Sequence, residues 1–416
     1  MSTRWTRRRT VLSRVAAAVG VAVCALGMTT AAQAAEEPIK IAILAPLSIT
    51  PGKAIVNGAK MAAEDINAAG GMDGRPVKLT VYDTQLSSTG AINAMKQAVM
   101  QNHDVGVVGV FTTEVTLPLM PYAKRLNVPL ILQSGSSEPG KMIHEHYDDY
   151  KNVFQLQLNS FYIGQEVCDA AHDLFASGGK ASAVILSEQA DWARPLDKTY
   201  QECLPKAGIP VKKLITYAVN TGDYGPVYNQ VESLKPSLII TGMAHTGLAP
   251  VVQWHQDHVP ALMLGFNMQA GTSDFWKASN GAAQGTIVVT NGAGGAAVTS
   301  KTPAFYHAYV KKYGQDPMLL AYTTYDGVYA LVDAIKKAGT TDTAKVVEAL
   351  QKTDLEGVTG RIKFYGKDAR FAHVLEYGPG LVTGVAFQWQ HGKQVVVWPK
   401  KIAQGSVEYP DFVPHS

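Results

Sequence analysis

Small hydroxyl residues follow an apolar stretch of the chain in an arrangement that suits the binding of an anion. In the segment NVPLILQSGSSEPGK, residues 127–141, an apolar run leads directly into Ser134, Gly135, Ser136 and Ser137. If the run is a buried strand and a helix follows it, the N–H groups at the helix start and the serine hydroxyls can donate hydrogen bonds to a carboxylate. A plain surface loop is the alternative interpretation. The segment predicts one side of a small-molecule site without identifying the molecule.

Other polar and aromatic residues come directly after apolar stretches elsewhere in the chain. Ligands in open parallel sheets bind beyond the carboxyl ends of the strands, and the cleft between two such sheets is a favoured site. The remaining candidates for ligand binding, chosen by this rule, are Ser48, Phe111, Thr112, Thr113, Trp192, His245 and Asn267. These residues can converge on one cleft only if two sheets face each other.

Strand and helix patterns alternate along the chain and would position these residues. The continuous apolar run IKIAILAPL (39–47) is typical of a strand buried on both faces. NGAKMAAEDINAAGG (57–71) has helical spacing and ends at a glycine pair. The rhythm restarts with FYIGQEVCDAAHDLFA (161–176), and VAFQWQHGKQVVVWP (385–399) predicts a late hairpin that turns at His391-Gly392. Strict alternation predicts an α/β fold with two doubly wound parallel sheets.

The first 34 residues have the layout of a secretory signal peptide. Three arginines, Arg7 to Arg9, precede an apolar segment at 15–28, and Ala32-Gln33-Ala34 is a small-x-small cleavage site. The arginine cluster could also serve as a twin-arginine address. The sequence therefore predicts a periplasmic protein whose signal peptide, residues 1–34, is cleaved.

Composition limits the partners of the exported chain. The signal peptide contains five arginines and no acidic residue, so its removal changes the formal net charge from +3 to −2. A slightly acidic protein has no electrostatic reason to bind nucleic acid. No later segment is apolar over the length that a membrane helix needs, so the mature chain is not expected to insert into a membrane. The 382 remaining residues are enough for two domains of ordinary size.

Two cysteines remain after the signal peptide, Cys168 and Cys203. An even pair in an oxidising compartment favours a disulfide. Each falls on a predicted helix, one before and one after the strand near residues 183–186, so the two could face each other. Two buried free thiols are the alternative, and the role is structural in either case.

Two chemical alternatives have weaker support. A serine hydrolase would need an activated serine, yet no G-x-S-x-G motif surrounds the serine cluster. Metal binding would use His144 and His146, or His255 and His258, but zinc sites usually need three or four ligands. Solvated histidines are the simpler interpretation, so neither a metal nor another cofactor is predicted.

Four segments are similar to one known family. IKIAILAPLS (39–48), GAKMAAEDINAAGGMDGRPVKLTVYDT (58–84), PYAKRLNVPLILQSGSS (121–137) and AYTTYDGVYAL (321–331) resemble the type I periplasmic solute-binding proteins of ABC importers. The resemblance is to the branch that binds leucine, isoleucine and valine, and it covers nearly all of residues 38–398. It implies two Rossmann-like lobes joined by a hinge, which close around a small molecule and deliver it to the permease subunits of an ABC importer.

The resemblance also implies how the chain divides. Lobe 1 is expected at residues 38–153 and about 282–365, and lobe 2 at residues 154–281 and about 366–400. Residues 401–416 would form a C-terminal tail. The protein is expected to be a monomer.

Residue roles carry over from relatives that bind amino acids. In those proteins the first lobe binds the ligand carboxylate, and Thr113, Ser134 and Ser136 match the positions that do so. Trp192 matches one of two aromatic residues that cover the ligand, and it is expected to be exposed in the cleft. The second aromatic residue is missing, and His245 lies beside the matching position.

The acidic residue that would bind an ammonium group in those relatives corresponds to Asn267. An unpaired ammonium group in a cleft costs several kcal/mol. Either Glu188 or Asp191 takes over this role, or the ligand carries no ammonium group. We expect a small carboxylate or other polar metabolite, aromatic ones included, or a branched-chain amino acid. A periplasmic sensor that signals to a membrane partner is the alternative role, and a serine hydrolase is a remote one.

Overall fold

The smaller of two parallel sheets is built by the amino-terminal part of the chain. The computed structural model describes residues 37–177 and 179–414, so the predicted signal peptide lies outside the described residues. The strands are β1 (Ile39–Ala45), β2 (Val77–Asp83), β3 (Gly106–Gly109), β4 (Leu130–Leu132) and β5 (Val153–Gln155). They lie in the order β2-β1-β3-β4-β5, and every neighbouring pair is parallel.

Helices connect these strands. They are α1 (Thr50–Ala68), α2 (Ser88–Lys96), α3 (Thr113–Arg125), α4 (Glu138–Glu145) and α5 (Tyr147–Tyr150). Prolines in the first turn begin α1 and α4, where the missing N–H group would have had no partner in the helix. The short helices α4 and α5 were not predicted from the sequence.

A larger sheet follows after the chain crosses from β5 into α6 (Ser160–Phe175). Its parallel strands are β6 (Ala183–Glu188), β7 (Val211–Tyr217), β8 (Leu238–Met243), β9 (Leu262–Asn267) and β10 (Ile287–Thr290). The helices between them are α7 (Ala193–Lys206), α8 (Gly225–Leu234), α9 (Leu248–Gln256) and α10 (Phe275–Ala278). All residues of β6, β8 and β9 are buried, as expected for strands covered on both faces.

The chain then returns to the smaller sheet. The returning elements are α11 (Thr302–Tyr313), α12 (Leu319–Ala338), α13 (Thr343–Gln351) and a short hairpin of β11 (Leu355–Glu356) and β12 (Arg361–Ile362). α12 packs so closely on α1 that a Cβ atom added to Gly58 of α1 would lie 2.2 Å from the carbonyl oxygen of Ala321 on α12. Only glycine fits at this position. The hydroxyl of Tyr325 donates a 2.8 Å hydrogen bond to Asp65, 260 residues away in the sequence.

A hairpin completes the larger sheet. β13 (Val385–Gln390) pairs antiparallel with β10 and with β14 (Lys393–Trp398), giving the order β14-β13-β10-β9-β8-β6-β7. His391 and Gly392 have φ of 50° and 83°, the left-handed conformation that two-residue hairpin turns of type I′ require. The predicted hairpin and the predicted α/β fold with two parallel sheets are thus confirmed.

The sheet pairing bears on where the two lobes divide. β10 lies beside β9 in the larger sheet, although the predicted boundary at about 282 placed it in lobe 1. Residues 373–375 extend the edge of the smaller sheet, where Gln155 donates its N–H to the carbonyl of His373. We therefore propose a small-sheet lobe of β1–β5, α1–α5, α11–α13, β11, β12 and residues 373–375. The large-sheet lobe then comprises β6–β10, α6–α10, β13 and β14.

A disulfide bond links two helices of the large-sheet lobe. Cys168 on α6 is bonded to Cys203 on α7, and both residues are buried. No helix within the described ranges is both long and apolar enough to cross a membrane.

Candidate ligand-binding site

A cavity of about 610 Å³ is lined by loops from both sheets. It is lined by loops that follow β1, β2, β3 and β4 of the smaller sheet and β6, β8 and β9 of the larger one. A volume of this size is typical of sites for small molecules. Predicted site residues that line the cavity are Ser48, Phe111, Thr112, Thr113, Gly135, Ser136, Trp192 and His245. Four other predicted residues, Ser134, Asn267, Glu188 and Asp191, do not line it.

The start of α3 supplies backbone donors on the small-lobe side. Thr112 is the N-cap in an extended conformation, and Thr113 and Glu114 open the helix, which is 13 residues long. The first N–H groups of a helix have no partner inside it and favour an anion. The Thr113 side chain is nearly buried at 9% exposure. This helix start suits a carboxylate, and the carboxylate-binding role of Thr113 stays a prediction.

The serine cluster shapes the next loop rather than opening fully to the cavity. The hydroxyl of Ser134, which is fully buried, accepts a hydrogen bond from the N–H of Ser136 at 3.2 Å. The hydroxyl of Ser136 accepts from the N–H of Glu138 at 3.3 Å, which starts α4. The carbonyls of Ser134 and Ser136 accept from the side chain of Gln155. Ser134 is thus used within the loop, while Gly135 and Ser136 reach the cavity wall.

Glu188 is buried behind the large-lobe wall of the cavity and fixes the residues of that wall by hydrogen bonds. Its buried carboxylate accepts hydrogen bonds from Trp192 Nε1 at 2.8 Å and from both the backbone N–H and the Nδ1 of His245, the latter at 2.7 Å. The N–H and the hydroxyl of Thr246 each donate to it at 2.9 Å. The hydroxyl of Tyr217 lies 2.7 Å from that of Thr246 and extends the network. Both carboxylate oxygens of Glu188 already accept hydrogen bonds from these donors. Glu188 therefore cannot bind an ammonium group of a ligand without breaking this network.

The network shifts the pKa values of Glu188 and His245 in opposite directions. Burial alone would raise the pKa of Glu188, but the hydrogen bonds from His245, Thr246 and Trp192 outweigh burial and lower the pKa from 4.5 to about 2. The hydrogen bond with Glu188 raises the pKa of His245, against the opposing effect of burial. Since Nδ1 of His245 bonds Glu188, Nε2 is the ring nitrogen left for a ligand. A protonated His245 at the cavity wall attracts a carboxylate.

Trp192 is less exposed than the sequence suggested. Only 8% of the residue is accessible, because its ring packs edge-to-face against Phe266 with centroids 5.4 Å apart. Its N–H is also committed to Glu188. The expectation of an exposed cleft aromatic is therefore wrong: Trp192 contributes to the cavity wall and to the core together.

Asn267 and Asp191 have other roles. Asn267 is 5% exposed, and its side-chain oxygen accepts a 3.0 Å hydrogen bond from the N–H of Ala270, which shapes the turn after β9. Asp191 forms an exposed ion pair with Arg194 at 2.7 Å, outside this cavity. In this conformation neither lies on the cavity wall, where the sequence rule had expected Asn267.

Several cavity residues were not among the ligand-binding candidates named from the sequence. Charged side chains at the wall are Lys53, Glu114 and Asp274, and apolar ones include Ile49, Ile163, Leu248, Met268 and Phe275. Gln133 and Gln157 also line the cavity and are almost completely buried. Gln133 directly follows the apolar run at residues 128–132. A polar residue at the end of this predicted strand was therefore the signal that could have identified it. In the described part of the chain, no three His, Cys, Asp or Glu side chains are grouped as metal ligands would be.

Two α/β lobes with a lined cleft between them define the class of two-lobed binding proteins. A family model described as "Periplasmic binding protein" matches residues 38–376, so the chain belongs to this family. Members of this family are substrate-binding proteins, and the recognition made from the sequence is confirmed. Leu/Ile/Val-binding protein homolog 7 of Brucella suis biovar 1 is 23% identical over 406 residues, which are 94% of this chain and 98% of that protein.

Solved structures share the fold. The substrate-binding protein LivJ from Streptococcus pneumoniae, in complex with isoleucine, superimposes with a TM-score of 0.72 at 22% identity and covers 87% of this chain and 100% of its own. A solute-binding protein from R. palustris in complex with benzoate has a TM-score of 0.68 at 16% identity, covering 90% and 99%. These similarities establish the type I periplasmic binding protein fold.

Proposed function

We propose that this protein is the periplasmic solute-binding component of an ABC importer and that it binds a small carboxylate with an apolar body. Binding takes place in the cavity between the lobes, which close around the ligand by a hinge motion. The protein performs no catalysis; it presents the bound ligand to membrane permease subunits. Family membership supports the transport role, and the chemistry of the cavity supports the ligand class.

One observation carries the ligand class. The start of α3, with Thr113, lies on one wall of the cavity, and His245, held by the buried Glu188, lies on the opposite wall. The Glu114 side chain, next to Thr113, contributes to the raised pKa of His245, so the two walls are within electrostatic reach of each other. A carboxylate placed between them would receive hydrogen bonds from backbone N–H groups and from a protonated imidazole.

The body of the ligand would contact apolar and aromatic side chains. Phe111, Trp192, Phe266 and Phe275 line the cavity and suit either a branched aliphatic chain or an aromatic ring. Isoleucine and benzoate, the ligands of two proteins with this fold, are both carboxylates on apolar bodies. The site does not require an ammonium group on the ligand, because the hydrogen bonds that Glu188 accepts from the protein leave it no free acceptor. Glu114 and Asp274 are the acidic residues on the cavity wall that could contact an ammonium group.

Hinge closure would complete the site. The chain crosses between the lobes after β5, after β10 and before β13, so three neighbouring segments could bend together. A ligand favours the closed form only through contacts that the open form lacks. Closure would bring Trp192 and His245 against a ligand already held at α3.

A ligand screen with a closure measurement tests the proposal. The mature protein, residues 35–416, is screened by thermal shift against benzoate, isoleucine and benzamide, and hits are measured by calorimetry and solution scattering. We expect benzoate or isoleucine to stabilise the fold by about 2.7 kcal/mol at a hundredfold excess over Kd, and to reduce the radius of gyration. Benzamide, which lacks the negative charge, should bind weakly. Binding of benzamide as tight as that of benzoate, or an unchanged scattering profile with saturating ligand, would contradict the proposal.

A further inference from the structure

Two buried glutamines on the cavity wall have amide atoms without partners. Gln133 is 0% exposed, and both its Oε1 and its Nε2 lack a hydrogen-bond partner among the described residues. Gln157 is 2% exposed, and its Oε1 is likewise unpartnered in this part of the chain. Buried amide atoms are nearly always satisfied in folded proteins, since leaving one unpaired is costly. A ligand or a water molecule in the cavity would satisfy these atoms.

We propose that the ligand carries, besides its carboxylate, a neutral group that both donates and accepts hydrogen bonds, and that Gln133 and Gln157 bind this group. A hydroxyl or a carboxamide has this property. The inference rests on the proposed function, because it places the group relative to a carboxylate at α3. Gln133 and Gln157 then determine which carboxylates the protein selects.

The spacing of the strands fits a small ligand. Gln133 directly follows β4, which neighbours β3, and Gln157 comes two residues after β5, the next strand along the sheet. Neighbouring strands lie roughly 4.8 Å apart. The neutral group would therefore lie about 5–10 Å from the start of α3, which follows β3. A Cβ atom on Gly135 would lie 3.2 Å from Nε2 of Gln157, so this amide reaches the loop after β4.

The surroundings argue for a neutral group. The cavity residues nearest these amides in the sheet order are Gly135, Ser136 and Ile163, none of which is charged. The charged residues of the wall, Lys53, Glu114, His245 and Asp274, come from the loops after β1, β3, β8 and β9. A second charge on the ligand would be buried here without a counter-charge, which is unfavourable.

Neighbouring glutamines show that the chain can satisfy such amides when their role is structural. Both amide atoms of Gln269, also on the cavity wall, are used: Oε1 accepts from the N–H of Leu248, and Nε2 donates to the carbonyl of His245. In buried Gln155 the Nε2 donates to the carbonyls of Ser134 and Ser136, whereas the Oε1 has no partner among the described residues. Gln133 and Gln157 differ from Gln155 because both residues line the cavity. Buried water could serve the same atoms, and the experiment below separates water from ligand.

Pairs of ligands with the same shape provide the test. Calorimetry compares para-hydroxybenzoate with para-methylbenzoate, and asparagine with leucine; within each pair an apolar group replaces the neutral polar group. We expect the wild-type protein to prefer the polar member of at least one pair by roughly tenfold or more. Preference for the apolar member in both pairs would overturn the inference.

Substitutions assign the preference to the two residues. Gln133→Met and Gln157→Met should each reduce the ratio of affinities within that pair to about one, mainly by weakening the polar member, and neither should lower the unfolding temperature of the ligand-free protein. Gln388→Met is the control: Gln388 is buried outside the cavity and its Nε2 donates to the carbonyls of Gly285 and Glu408. The control should unfold at a lower temperature with the ratio unchanged.

The possible failures can be told apart. If Gln133→Met and Gln157→Met behave like Gln388→Met, the amides are satisfied by buried water and the inference is wrong, while the proposed function stands. If none of the four carboxylates binds, and benzoate and isoleucine also fail to bind, the proposed function fails and the inference fails with it.

Discussion

The two walls of the cavity differ in how far their polar groups are satisfied. On the large-lobe wall, Glu188 uses five donors from three residues, and the ring of His245 is fixed by one of them. On the small-lobe wall, α3 has no side-chain cap, and both amide atoms of Gln133 and the Oε1 of Gln157 have no partner that the described residues provide. One wall is complete without a ligand, and the other is not.

This difference suggests a division of labour between the lobes. A saturated network holds its charge and its geometry before the ligand arrives, so no free energy is lost in arranging it during closure. Unsatisfied groups gain hydrogen bonds only when a ligand supplies them, so they discriminate between ligands. We therefore expect substitutions on the large-lobe wall to affect stability and affinity together, and substitutions on the small-lobe wall to affect affinity alone.

The largest expected effect comes from breaking the Glu188 network. Glu188→Ala would leave the buried N–H groups of Trp192, His245 and Thr246 without an acceptor, and it would remove the anion beside His245. Loss of one partner from a buried charged network typically costs about 3–5 kcal/mol. The free energy of unfolding, measured by urea denaturation at pH 7, should fall by an amount in this range, and benzoate should bind more weakly.

A second buried glutamate provides the matched control. Glu166 on α6 is also buried, but burial raises its pKa well above the ordinary value and so favours its neutral form. Glu166→Gln should therefore change stability little at neutral pH. The pKa of Glu188 is lowered, so its stabilising contribution is full above pH 4.5 and is lost as the pH falls from 4.5 to about 2. Equal effects of the two substitutions at pH 7 would show that the network does not hold a charge.

An intermediate effect is expected from the charge on His245. Its pKa is raised above 6.5 by Glu188 and, across the cavity, by Glu114. Affinity for benzoate should therefore decline as the pH rises through this raised pKa. His245→Gln should weaken benzoate roughly 10- to 100-fold at low pH, the value of a hydrogen bond to a charged group. Calorimetry over a pH series measures both effects.

His255→Gln, at a half-buried position of α9 outside the cavity, is the control for this series. It should bind benzoate like the wild type at every pH. A benzoate affinity that stays constant across the raised pKa of His245 in the wild-type protein would exclude a charged role for this residue.

The smallest effect is expected at Thr113. Thr113→Val removes one hydroxyl at the start of α3 but leaves the backbone N–H groups, so benzoate affinity should fall by roughly fivefold. Thr116→Val, one turn further along α3, is the matched control, since Thr116 is fully buried, its hydroxyl has no partner among the described residues, and it does not line the cavity. Stability should change little in either variant. A larger loss of affinity for Thr116→Val would show that α3 acts through packing and not through the hydroxyl.

The sequence predicted the cavity better than it predicted the chemistry on one of its walls. Thr113, Gly135 and Ser136 reach the cavity because they follow strands of a parallel sheet, and strand ends can be recognised from local patterns. The two-sheet architecture followed from the same alternation. These features depend on residues close together in the chain.

The remaining site residues depend on contacts between distant segments. Glu188 was considered as a partner for the ligand, but its acceptors are consumed by His245 and Thr246, 57 and 58 residues later in the chain. Asn267 was predicted to bind the ligand because it ends a strand, yet its side-chain oxygen accepts a hydrogen bond from the N–H of Ala270 and caps a turn. Which of several polar side chains a fold uses internally is decided by tertiary packing, and no local pattern records it.

The contact between α1 and α12 has a consequence for how the chain is made. The apolar side of α1 is covered by a helix that is synthesised some 260 residues later, as the bond between Asp65 and Tyr325 shows. During vectorial synthesis, β1–β5 would therefore emerge long before their lobe can finish its core. A nascent chain that ends before α12 would therefore leave this side of α1 uncovered.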